Sequence, residues 1–223
     1  MSTPRRDFWT PTAGILAAVT FVVGFAMTAG STPDNTDPDA KIISWYADNG
    51  HQVVGTVGPF VLAFCGLFIL WFASGLRQRL RLAEGPEARL ANVALGGAVL
   101  LVALLWVGAA AIGAIPAGIK LGQSNDLTNA DLGRFLPSIG FGSILIFAMF
   151  GAIALIDATS VVIFRTGVLP RWLGWLGFVC GVVLLFAAVF LPVIALPIWL
   201  IAASIALYRQ PEGAAQTAGD EAG

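Results

Sequence analysis

The sequence predicts an all-α fold: a polytopic membrane helix bundle of about six transmembrane helices with two short outer interfacial helices. Three observations lead there. The chain is 57% hydrophobic and 11% charged, with a mean hydropathy of +0.84, far from the balance of a water-soluble domain. Its charges are confined to short segments between apolar runs. Those runs are each about 20 residues or longer, enough for a helix to cross a ~30 Å hydrocarbon core. The formal net charge of -1, with no basic stripe, excludes nucleic acid as a partner and leaves the lipid bilayer.

Apolar runs at residues 12–30 and 52–74 give the first two crossings, and runs at 91–118 and 139–164 the next two. The final run, Trp172 to Tyr208, contains no charge and as one helix would be about 55 Å long. It must fold back. Pro192 and Pro197 lie near its middle, where the missing amide donors favour a turn, so crossings five and six are expected at 172–190 and 193–208. Residues 1–208 then form a single transmembrane domain, and 209–223, rich in Gly, Ala and acid, read as a disordered cytoplasmic tail.

Parity and charge agree on orientation. With both termini in the cytoplasm, the inner segments hold Arg5, Arg6, Arg77, Arg79, Arg81, Arg89, Arg165, Arg171 and Arg209, against Lys41, Lys120 and Arg134 outside. Arg5-Arg6-Asp7-Phe8 partly matches a twin-arginine signal, but the apolar run behind it is long enough to span, so an uncleaved first helix is expected.

Two outer segments carry helix signals. In the first, Asp37-Pro38 reads as a helix start and Asn49-Gly50 as a stop, enclosing Ile42, Ile43, Trp45 and Tyr46. In the second, Thr128-Asn129 is a capping signal, Leu132, Phe135 and Leu136 follow at helical spacing, and Pro137 is expected to end the helix. The recurrence of helix, outer segment, helix hints at a duplication, but the residue-by-residue match is poor. The inner turn at Glu84-Gly85-Pro86 suggests no chemistry.

Arg171 marks a membrane boundary, Trp172 and Trp175 suit the headgroup level, and Gly174, Gly177 and Gly181 form a small-residue stripe. Gly177 and Gly181 can pack helices within the chain, or against a second copy or another membrane protein. Together Leu169-Pro170-Arg171-Trp172-Leu173-Gly174-Trp175-Leu176-Gly177, Tyr46-Ala47-Asp48-Asn49 and the Arg-rich Leu76 to Arg81 resemble an uncharacterised multi-pass membrane protein family of actinobacteria and other bacteria. The resemblance implies topology only, since that family has no established activity.

Asp157 is the only charged side chain inside an apolar run, and an ionisable group at membrane depth is a site hypothesis by default. It lies about 12 Å along the helix from Arg165. Thr20 and Cys180 fall at similar heights, as do Gly96 and Gly97, so a polar layer of Asp157, Thr20 and Cys180 is expected. With no intramembrane cation, Asp157 either orders the bundle by hydrogen-bonding Thr20 or a carbonyl, or handles a proton or cation. His51 is the only histidine, too few for a metal site. Asn35, Asp37 and Asp39 have the spacing that opens a calcium loop, but Ala40 and Tyr46 stand where Gly and Glu belong. Cys65 and Cys180 read as packing residues. No metal, cofactor or catalytic motif is expected, and the chain reads as a non-enzymatic accessory or scaffold component, with a transporter using Asp157 as the alternative.

Overall fold

The computed structural model describes residues 8–122 and 127–209, so the twin-arginine segment and the tail from Gln210 lie outside the described residues. Helix α1 is Trp9–Gly30, α2 Asp39–Ala47, α3 Asn49–Glu84 and α4 Arg89–Lys120. Helix α5, Ala130–Gly142, passes through a π-helical turn at Ser143–Ala148 into α6, Met149–Thr166. Helix α7, Arg171–Leu184, and α8, Ala195–Arg209, are joined by two short 3-10 turns, Ala187–Val189 and Leu191–Ile194. Among the described residues every regular element is helical, and five helices are long and apolar enough to cross a membrane.

The glycines give the register. On α1 and α3, Gly24 meets Leu62 and Gly58 meets Thr28; on α3 and α4, Gly66 lies under Trp106. The helices therefore alternate in direction. Their alternation gathers Arg77, Arg81, Arg89, Arg165, Arg171 and Arg209 at one end of the bundle and α2 at the other. The tightest pair is α4 against α5–α6. A Cβ on Gly97 would stand 2.6 Å from Leu155 N and 2.7 Å from Gly151 O; one on Gly108 would stand 2.6 Å from Gly140 O. These are backbone-on-backbone contacts, repeated after about three turns on both helices. Between them Ser143, opening the π turn, donates to Leu104 O at 2.9 Å, linking the helices where one irregular turn needs support.

Several boundaries differ from expectation, those of the crossing helices for one shared reason. Helices in lipid have nowhere else to satisfy their backbone, so they continue past signals that stop them in water. Asn49-Gly50 does not end a helix but begins α3, whose first turn is capped by Asp48 accepting from His51 N at 3.0 Å. Helix α2 starts at Asp39, one residue later than Asp37-Pro38 implied. Pro137 does not end α5, so the second outer helix is the opening of the fourth crossing, continuous over Ala130–Thr166. The loss of the Pro137 amide frees Gly133 O, and the Tyr46 hydroxyl donates to it at 3.3 Å.

At the basic end, Glu84 accepts from Leu90 N and Ala91 N, both at 2.9 Å, so the loop assigned no chemistry caps α4 with a carboxylate. The final fold-back is present, but its geometry is not the expected one. Helix α7 has 14 residues, about 21 Å, too short to cross the core. The turn falls at 185–194, and Pro197 sits harmlessly in the first turn of α8. The hairpin tip is recessed: Phe190, at φ 69°, packs against Phe25 at 6.0 Å and Phe141 at 5.4 Å, more than a turn short of the α1 terminus.

A side chain at Gly151 would press on Leu101 N at 2.5 Å, whereas Gly96 has open space. Gly151→Ala should therefore cost about 1–3 kcal/mol of unfolding free energy, and Gly96→Ala should be neutral or stabilise by up to about 1 kcal/mol. Reversible denaturation of both variants in lipid–detergent micelles measures this; equal effects would overturn the contact assignment.

Candidate functional site

Asp157 lies on α6 in a stripe of partly exposed residues with Ile153, Ala154, Val161 and Phe164, at the seam with α7. The seam is made by glycines. Gly174 meets Phe164 and Ile163, Gly177 meets Ser160 and Ile156, and a Cβ on Gly181 would stand 2.5 Å from Asp157 Oδ1. The small-residue stripe of α7 is thus used inside the chain, with Gly177 and Gly181 facing α6. Only glycine at position 181 lets the carboxyl lie flat against the α7 backbone.

The environment of the carboxyl is asymmetric. Oδ1 is buried with no hydrogen-bond partner, while Asp157 as a whole stays partly exposed. Trp199 Nε1 and Ser204 Oγ share that unpaired state among the described residues, the indole lying near Gly177 and the hydroxyl near Gly14. Ser160 and Thr159 satisfy their hydroxyls on carbonyls one turn back, at 2.8 Å and 2.7 Å. One or two turns toward the basic end an aromatic cluster closes the same seam. Phe164 stacks on Phe178 with ring centres 5.7 Å apart and meets Trp175 edge-on at 5.2 Å.

The expected polar layer is not assembled. Thr20 donates to Leu16 O at 2.6 Å and approaches Ala17 O at 3.2 Å, both on its own helix, and forms no hydrogen bond with Asp157. Beside it Cys65 donates to Ala17 O at 3.3 Å across the α1–α3 contact. Cys180 is buried on α7, adjacent to Gly181, and both cysteines are free. Gly97 lies against the α6 backbone near Gly151 and Ala154, and Gly96 faces open space. Counting residues gave the height of these groups but not their direction around the helix axis. Trp199 and Ser204 went unnoticed because an apolar run conceals which of its few polar atoms lack partners.

At the other end of the bundle, the segment with calcium-like spacing is held by an arginine. Arg134 of α5 donates to Asn35 O, Asp37 O and Asp39 Oδ1 at 3.2, 2.8 and 2.6 Å, and pairs with Asp131 at 3.4 Å. Lys41 takes Asp37 Oδ1 at 2.8 Å. Groups a calcium ion would need are thereby bound to cations of the chain itself. His51 stacks on Trp45 with centres 3.8 Å apart and planes 5° from parallel, and no metal-binding cluster occurs among the described residues. Between α3 and α4 lies an apolar groove of about 270 Å³ lined by Pro59, Phe60, Trp106 and small residues.

No family model matches the chain, and no curated protein or solved structure shows significant similarity to it.

Burial pushes the Tyr46 hydroxyl up to about 12 from an ordinary value of 10.0. A phenol whose folded value is raised contributes stability that is complete below pH 10 and is lost as pH rises toward 12. Release of α2, followed by hydrogen exchange, should track phenolate absorbance over that window and should lose this transition in Tyr46→Phe. The same substitution should cost about 1–2 kcal/mol by orphaning Gly133 O. In a Pro137→Ala background the restored amide takes that carbonyl, so the cost should shrink; an unchanged cost would count against the proline-gap account.

Proposed function

We propose that this chain is a non-catalytic accessory or scaffold component of the bacterial cell membrane, with both termini cytoplasmic, acting through contacts with other membrane components. The position of Asp157 carries the reading. Its carboxyl sits on the outer rim of the α6–α7 seam, against the glycine backbone of α7 and a turn or two from an aromatic cluster, rather than within a set of convergent polar groups. The helices behind it meet through glycine backbone contacts at Gly97, Gly108, Gly140 and Gly151, an arrangement suited to a fixed framework.

The collection of arginines at one end supports a cytoplasmic assignment for that end. The likeness of the segment from Leu169 to Gly177 to uncharacterised multi-pass bacterial proteins fits the same proposal. A proton or cation transporter is the competing reading, favoured by the buried unpaired Oδ1 of Asp157. It requires water at that depth.

Labelling separates the two. In a background of Cys65→Ala and Cys180→Ala, Asp157→Cys in membranes is expected to resist a membrane-impermeant thiol reagent from both sides, while Thr36→Cys at the exposed α2 end reacts. Modification of position 157 from either face would overturn the accessory reading in favour of a water-filled pathway.

A further inference from the structure

We infer that the seam between α6 and α7 is a docking groove for a single transmembrane helix of another protein, one that carries a Lys or Arg in the half of the membrane nearest the basic end. The inference rests on the accessory reading and names the chemistry of the partner.

Three observations meet in this groove. First, Asp157 has one carboxyl oxygen buried against Gly181 without a partner, and the residue stays open on the lipid-facing stripe of α6. Intramembrane carboxyls ordinarily face a bundle interior or pair with an opposite charge. Second, rings of Phe164, Phe178 and Trp175 line the same seam within one or two turns. A basic side chain running along the seam toward the carboxyl would pass over these rings, whose quadrupoles attract a cation. Third, Val161 on the same stripe of α6 and Val182, next to Gly181 on α7, are modest side chains open to an approaching helix.

The same observations narrow the occupant. Lys41 and Arg134 are paired with carboxylates at the α2 end, and the nearest basic residue along α6, Arg165, is about 12 Å away. A second copy cannot supply the cation, because residues 12–30, 52–74, 91–118, 139–164 and 172–208 contain no Lys or Arg. Lipid headgroup cations sit at the membrane surface, above this depth. A basic side chain delivered on a foreign helix remains. Its own burial in hydrocarbon is unfavourable, so pairing relieves both groups at once.

The test uses the full chain, dye-labelled at its C-terminus, in phosphatidylcholine vesicles with acceptor-labelled Leu/Ala single-span peptides. One peptide carries a Lys about 12 Å inside the boundary, and its control has Leu there. Energy transfer is expected to report association about tenfold tighter for the Lys peptide, the scale of one interhelical polar contact. That preference should fall to within about twofold with Asp157→Asn, a near-isosteric change, and should survive Gly113→Ala in the distant α3–α4 groove. Equal association of Lys and Leu peptides with the unaltered chain overturns the inference without any variant having to fold. A preference that persists in Asp157→Asn overturns it as well. If the chain runs in its native membranes as a complex well above 23.3 kDa while the peptides are not distinguished, the docking inference falls and the accessory reading stands. A monomeric chain whose position 157 is labelled by impermeant reagent removes both.

Discussion

At Gly97 and Gly151 the backbones of α4 and α6 touch, with Gly97 O and Gly151 O each within 2.7 Å of where the opposite Cβ would be. In a bilayer this contact matters more than in water, because lipid tails are as apolar as any side chain and burial supplies no drive to association. Close approach gains dispersion over many atoms and weak Cα–H···O contacts worth about 0.5–1 kcal/mol each. The device recurs at Gly108 and Gly140 and in reciprocal form on α3 and α4, where Pro116 lies against Gly55 and Pro59 against Gly113. Where helices meet this way, backbone contact leaves no room for a side chain at the crossing itself. Asp157 is accommodated where the framework ends, at the seam with the short helix α7.

The prolines show how a membrane helix keeps its direction through residues that end helices elsewhere. Pro59, Pro116 and Pro137 all lie inside continuous helices. Each removes an amide and strands a carbonyl four residues back. At Pro137 the stranded carbonyl is answered by Tyr46 from α2, which ties the surface helix to the bundle. The structure thus turns a local defect into the anchor of a peripheral element. Arg134, on the turn before Pro137, completes the anchor by binding the α2 entrance through two carbonyls and a carboxylate.

Fold class and the number of apolar segments were legible because hydropathy reports which residues avoid water, and a charge-free run of about 55 Å has to fold back. Boundaries were less legible. Hydropathy marks where lipid ends, whereas α3 runs on to Glu84, well past Ser74, because its carbonyls still need amides. The recessed α7–α8 hairpin was invisible for a different reason: its tip is held by Phe25, Phe141 and Phe190, three rings far apart in sequence. Asp157 stood out as the one charge in an apolar run, but its surroundings did not. Thr20 shares its height and lies on α1, packed against α3 rather than α6, so a count along the helix gave one coordinate of a site that needs two.

That missing coordinate bears on why a carboxyl is there at all. If the role of residue 157 were only to order the α6–α7 seam, a neutral hydroxyl would serve, as Ser160 does beside Gly177 with its proton on Ile156 O. Asp157 instead leaves Oδ1 unpaired against Gly181. A charged side chain near mid-membrane costs about 2.5–3.5 kcal/mol on insertion scales, a substantial part of the 5–15 kcal/mol that keeps a typical protein folded. The glycine contacts and the α2 anchor provide a framework that tolerates such a cost locally. What a carboxyl adds over a hydroxyl is the capacity to hold a cation, and Asp157 keeps part of that group exposed at the rim of the seam.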